Sequence, residues 1–140
     1  MNDFSDKKSE VILKSVINAS KGNLYAGEAL REVPFPIKRF YVIRDVPGSE
    51  IVRGGHAHRE VEQAIFCLNG SFELHFDDGS AKWKATVNDP SAGLHLKTGV
   101  WHHMTKFSPD CVILVVASDY NDEADYIRNY DEFLRHVKAA

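Results

Sequence analysis

Seven histidines fall within 140 residues, and the pair His56-x-His58 has the spacing that chemistry can use. In an extended strand, residues two apart point to the same side, so two imidazoles stand about 7 Å apart along the chain and face one cavity. Imidazole changes charge near neutral pH and is also a common metal ligand, so the pair suits proton transfer or metal ligation. A solvated pair on a strand edge is the plain alternative. His102 supplies a third imidazole further along the chain, while His103 beside it should face the opposite way if that segment is extended. His75 falls on the polar side of an alternating strand and His136 on the terminal helix, where solvent exposure suffices for each. His95 alternates with Leu94 and Leu96, which leaves a core role and a site role both open.

These side chains need a scaffold, and the hydrophobic pattern specifies one. Strand-like runs recur between turn signals at residues 11–17, 37–44, 64–68, 71–76, 81–87, 94–96, 101–107 and 111–117. The run 71–76 alternates cleanly, with Phe72, Leu74 and Phe76 on one side. Asn69-Gly70 and Asp77-Asp78-Gly79-Ser80 are turn signals. Only the tail changes period: Tyr126, Ile127, Tyr130, Phe133, Leu134 and Val137 recur at helical spacing. Asp122, Glu123 and Asp125 precede them, suiting a helix N-terminus. Many short strands and one closing helix predict an all-β fold, a jelly-roll barrel with a C-terminal α-helix.

Composition narrows the function classes. Lys+Arg number 17 against 20 Asp+Glu, a formal net charge of −3, which argues against general nucleic-acid binding. The longest apolar run, residues 111–117, is too short to span a bilayer, and the polar N-terminus is no signal peptide. Cys67 and Cys111 lie in apolar runs, as expected of buried reduced thiols in a cytoplasmic protein. Residues 1–10 read as a flexible segment and residues 11–140 as a single domain.

The histidine spacing resembles the two-part cupin signature. The first half runs His56-x-His58-x4-Gln63-x6-Gly70, with Gln63 where the metal-binding glutamate of that pattern belongs; Glu62 is the rival at a shorter spacing. The second half runs Lys97-x-Gly99-x2-His102-x3-Lys106, with lysines replacing proline and asparagine. His56, His58 and His102 could still hold an ion as a three-histidine site. The missing carboxylate and the nearby Lys97 charge favour a metal-free site, and no cofactor is expected.

Longer stretches carry a more specific resemblance. Pro34-Phe-Pro-Ile-Lys-Arg-Phe-Tyr41, Arg53-Gly-Gly-His-Ala-His58, Cys67-Leu-Asn-Gly-Ser71, Val100-Trp-His102 and the tail Ala117-Ser-Asp-Tyr-Asn-Asp-Glu-Ala-Asp-Tyr-Ile-Arg-Asn-Tyr-Asp131 resemble the nucleotide-sugar 3,4-ketoisomerases, a WxcM-like cupin family. The resemblance implies conversion of dTDP-4-keto-6-deoxyglucose to its 3-keto isomer in deoxyamino-sugar biosynthesis for surface polysaccharide. It also implies a metal-free barrel and a homodimer.

Such a reaction needs a base at C3, an enediol intermediate and an acid at C4, and histidine serves as both acid and base. His58 is expected as the main base and His56 as its partner. Tyr41 is a candidate donor to the developing oxyanion, or a barrel-wall aromatic. Arg53, in a glycine-rich bend, is the first candidate for the pyrophosphate, because its guanidinium makes forked contacts to phosphate. Arg39 and Lys97 are further candidate cations, and Gln63, His102 and His95 are expected around the sugar. The competing functions are a three-histidine metal-dependent dioxygenase, a dTDP-sugar 3,5-epimerase and a non-catalytic sugar-nucleotide sensor.

Overall fold

Twelve strands and one terminal helix make up the structure, a computed structural model that describes residues 9–139. In chain order they are β1 (Glu10–Ile12), β2 (Lys14–Val16), β3 (Leu24–Ala26), β4 (Arg39–Arg44), β5 (Arg53–His58), β6 (Gln63–Asn69), β7 (Phe72–Asp77), β8 (Lys82–Val87), β9 (Ala92–Leu96), β10 (Trp101–Thr105), β11 (Val112–Ala117), β12 (Tyr126–Ile127) and α1 (Tyr130–Ala139). Two five-stranded antiparallel sheets face each other, ordered β1-β9-β6-β11-β4 and β12-β5-β10-β7-β8. This is the all-β jelly roll with a C-terminal helix that the strand spacing predicts. Of the N-terminal segment expected to be flexible, residues 1–8 lie outside the described residues; Glu10 opens β1 and pairs with Leu94.

Alternation decides which side chains fill the space between the sheets. Phe72, Leu74 and Phe76 of β7 meet Ile113 and Val115 of β11 and Ile65 of β6 in the main core. β6 breaks the alternation, because Gln63 through Cys67 are all buried. Its outer side is covered by Val11, Val33 and Phe35, which pack on Ala64 and Phe66. Gly93 makes that layer possible, since a Cβ there would lie 2.4 Å from the Phe66 ring.

Both turn signals hold: the Asn69-Gly70 turn joins strands of different sheets, and the loop after Asp77 closes the hairpin β7–β8. Two expectations change. The run 11–17 divides into β1, which joins the large sheet, and β2, which pairs only with β3. The tail helix starts at Tyr130, four residues later than its spacing suggests. Residues Glu123–Asp125 form one 3-10 turn, and Tyr126–Ile127 then extend as β12 along the free edge of β5. Pairing with an open sheet edge overrides the local helical period here. Ile127 and Phe133, both fully buried, anchor the tail on Ala57 beneath the site. Truncating a buried phenylalanine like Phe133 costs about 3–5 kcal/mol. No helix among the described residues is long and apolar enough to cross a membrane.

Candidate active site

Register brings the histidines together. His56 lies directly opposite His102 on β10, and His58 lies opposite Tyr126 on β12. Cross-strand partners share a face, as do residues two apart, so all four rings point between the sheets. The ring centroids of His56 and His102 are 4.7 Å apart, and those of His56 and His58 5.1 Å. Tyr126 lies 4.9 Å from His56 and 4.7 Å from His58. A shift of register between His102 and His103 creates this alignment. Gly54 and Gly55 absorb it at φ +89° and +84°, a region that favours glycine. At Gly54 a Cβ would also come 3.1 Å from the carbonyl oxygen of His102. His103 faces outward, as alternation predicts, and stacks on His75.

His58 has a defined tautomer. Its Nδ1–H donates to Asp125 Oδ2 at 2.8 Å, and Asp125 Oδ1 accepts the Glu60 backbone N–H at 2.7 Å. Both side chains are buried. Nε2 of His58 therefore carries the lone pair and has no partner among the described residues. Nδ1 of His56, Nδ1 of His102 and Oε1 of Gln63 are likewise buried and unpartnered. Buried polar atoms are normally satisfied, so three bare nitrogens in one cluster, with Gln63 Oε1 bare on the other sheet, suit a hydroxylated ligand.

Burial holds all three imidazoles below the ordinary histidine range. His56 falls to about 4, through burial and then the neighbouring His58. His102, enclosed and beside both other histidines, is also held well below that range by burial and then by its neighbours. His58 is lowered by burial but supported by the hydrogen bond and charge of Asp125. It alone of the three has a carboxylate hydrogen-bonded to its ring, which favours its protonated form.

The opposite wall comes from the large sheet. Gln63 Nε2 donates to the Tyr41 hydroxyl oxygen at 3.1 Å, which leaves the phenol O–H free to donate. Burial raises the Tyr41 pKa, so the phenol stays protonated; Arg39, Arg53 and Tyr126 also act electrostatically on it. The Arg39 guanidinium lies over the Tyr41 ring, 4.7 Å from its centroid. Arg53 is exposed at the start of β5. Lys97 is exposed on the loop after β9, two residues before Gly99, whose N–H donates to the His58 carbonyl.

His95 is a correction. It pairs across strands with Ala64 and so faces the outer layer, where it donates to Glu62 at 2.8 Å and lies against Phe35. Both faces of the large sheet are covered, so alternation with two leucines could not reveal which side it occupied. Glu62 is engaged there as well and is absent from the histidine cluster. Conversely, Asp125, Tyr126 and Arg128 belong to the site without having been singled out. Arg128 lies over the Tyr126 ring at 4.2 Å, makes a two-pronged pair with Glu123, and helps to lower His56 and His58. The tail motif contained all three, but as a presumed helix its acids were read as dipole partners.

Ligand nitrogens of His56, His58 and His102 lie within 4.8 Å of one another. As a metal site the set is poor. The facing side chain in the sequence pattern is the Gln63 amide rather than a carboxylate, and the one carboxylate on the cluster, Asp125, is engaged by His58 Nδ1 and the Glu60 N–H.

Comparison with known proteins identifies relatives over nearly the whole chain. Residues 7–138 match the family model described as FdtA: WxcM-like, C-terminal. The chain is 46% identical over 130 residues to the TDP-4-oxo-6-deoxy-alpha-D-glucose-3,4-oxoisomerase of Aneurinibacillus thermoaerophilus, covering 93% of each chain. It superimposes with a TM-score of 0.90 and 37% identity on a histidine-to-asparagine variant of the 3,4-ketoisomerase QdtA from Thermoanaerobacterium thermosaccharolyticum, in complex with TDP-4-keto-6-deoxyglucose, covering 94% of each. The TDP-quinovose 3,4-ketoisomerase WlaRB from Campylobacter jejuni gives a TM-score of 0.85 at 41% identity, over 90% of this chain and 95% of that one.

Proposed function

The chain belongs to the WxcM-like FdtA family, and from that premise we propose that it is a sugar-nucleotide 3,4-ketoisomerase acting as one cupin domain over residues 11–140. It converts dTDP-4-keto-6-deoxyglucose to a dTDP-3-keto-6-deoxyhexose, a step of deoxyamino-sugar synthesis for surface polysaccharide in the cytoplasm. The observation that carries the mechanism is the bare Nε2 of His58, set by the Asp125 hydrogen bond and surrounded by neutral imidazoles.

His58 Nε2 removes the C3 proton, and the electron pair moves onto the C4 carbonyl oxygen to give an enediolate. Tyr41 donates a hydrogen bond to that oxygen. His56, too weak a base to retain a proton, relays one from the C3 hydroxyl to the C4 oxygen. The imidazolium of His58 then delivers its proton to C4, so base and acid are one residue and the net change is zero. A positioned base of this kind contributes about 10²–10⁴-fold to the rate. His102 and Gln63 present unpartnered polar atoms to the sugar hydroxyls, while Arg53 and Arg39 supply charge for the pyrophosphate.

A homodimer also fits. Phe40 and Val42 on the outer face of the edge strand β4 are exposed, as are Val16 and Leu24 on the β2–β3 hairpin. A second copy would cover this apolar surface.

Product NMR in deuterated water tests the reaction. A 3-keto product is expected, with deuterium at C4 only to the extent that the His58 imidazolium exchanges its proton before delivering it. Exchange confined to C3 and C5 with the 4-keto group retained would instead identify an epimerase.

A further inference from the structure

A cavity of about 650 Å³ opens on the side of the small sheet that faces away from the histidine cluster, lined by β7, β8, β10 and the start of α1. Its walls are mostly aromatic. Trp101 meets Tyr130 edge to face at 5.2 Å. The rings of His75 and His103 lie parallel, 7° from coplanar, with centroids 4.3 Å apart. Trp83, also at its edge, stacks on Phe76 and packs toward the core between the sheets. Burial lowers the pKa of both imidazoles, which makes their paired faces neutral stacking surfaces.

The charges at the rim are unequal. Asp77, the cross-strand partner of Lys82, is buried and already accepts from the Tyr130 hydroxyl at 2.6 Å and the Gly79 N–H at 2.8 Å. Lys82 therefore has no carboxylate within ion-pair distance among the described residues, and its ammonium sits 6.0 Å from the Tyr130 ring centroid. Lys84, two residues on and on the same face, is held only at 3.8 Å by Glu73. Flat π faces beside an uncommitted ammonium match a planar heterocycle that carries phosphate. The volume lies within the usual small-molecule range.

We propose that this cavity is a second binding site, separate from the reaction centre, for a nucleoside phosphate: the base stacks among Trp101, Tyr130 and the His75–His103 pair, and the phosphate meets Lys82. Stacking of this kind tolerates different bases, so the site selects for ring plus anion rather than for thymine. Trp101 and His103 flank His102 on β10, so an occupant presses on the strand that carries one wall of the reaction centre.

The Trp101 indole meets Tyr130 in this cavity, so its N–H resonance reports on it directly. Adenosine monophosphate titrated into the full-length protein should shift that resonance saturably, while adenosine or inorganic phosphate alone should bind at least about tenfold more weakly. Lys82→Glu, an exposed change outside the reaction centre, should weaken adenosine monophosphate binding by a similar factor and leave ketoisomerase turnover unaltered. Three results would overturn the assignment. The first is no shift of the Trp101 indole. The second is equal binding of adenosine and its monophosphate, which removes the anion. The third is a shift unchanged in Lys82→Glu, which places the ligand in the histidine cluster with its effect carried through β10.

Discussion

His58 Nδ1 lies 2.8 Å from Asp125 Oδ2, although 67 residues of chain separate them. The bond joins the central strand of the site to the 3-10 turn before β12, and both partners are buried. Asp125 does two things through it: it fixes the tautomer that bares Nε2, and it offsets part of the burial that lowers the His58 pKa. Asp125→Asn should therefore lower kcat by about 100-fold or more. It should also move the acidic limb of the pH–rate profile to lower pH, because His58 loses the charge that favours its protonation. A fall in kcat with the acidic limb unmoved would reduce Asp125 to a purely structural part.

Removing the base itself separates chemistry from binding. His58→Ala should abolish turnover while dTDP still binds, since the nucleotide is held by other groups. Calorimetry of dTDP binding beside a product assay makes the distinction, and near-native turnover in this variant would transfer the role of base to another residue.

Arg53 stands exposed at the start of β5, with its guanidinium uncommitted to any ion pair among the described residues. Arg53→Ala should weaken dTDP affinity about tenfold, the loss of one charge-assisted contact. The effect should shrink for thymidine, which has no phosphate. Equal affinities for wild type and variant would remove Arg53 from the pyrophosphate site.

Stability should decline in acid because of the same cluster. The folded-state pKa of each clustered histidine lies below the ordinary 6.5, and that of His56 is about 4. Below pH 6.5 the unfolded chain takes up protons that the folded chain refuses, so stability falls as pH falls. For His56 the loss runs from about 6.5 down to about 4 and is complete below that. Thermal melts across this window should show a steeper decline for the wild type than for His56→Asn, which lacks the titrating ring. Parallel curves would count against the assignment.

The donor set also bears on metal. Turnover should survive dialysis against a strong chelator, and elemental analysis should find substoichiometric transition metal. Stoichiometric metal with activity lost on chelation would restore the dioxygenase alternative.

Much of the barrel was legible because alternation is a direct record of two-sided burial. Phe72, Leu74 and Phe76 could point only one way, and His56-x-His58 after two glycines showed its shared face at once. The tail was harder. Tyr126 and Ile127 fit the helical spacing of Tyr130, Phe133, Leu134 and Val137, and two residues are too few to display a strand period of their own. What makes them a strand is the free edge of β5, a partner far away in sequence. Asp125 was hidden for the same reason: an acid before a helix has a sufficient local explanation. His95 failed differently, since a sheet covered on both faces gives no polar side against which to judge direction.

The shortness of β12 makes the site depend on a very small attachment. Its two residues, Tyr126 and Ile127, hold the preceding Asp125 against β5, and Ile127 and Phe133 fix that segment from below. The barrel strands through β11 pair without it. On the reading that His58 is the base, a chain cut after β11 would keep the three histidines and their strands but lose the carboxylate on His58, so the tail completes a site that the barrel strands alone leave unfinished.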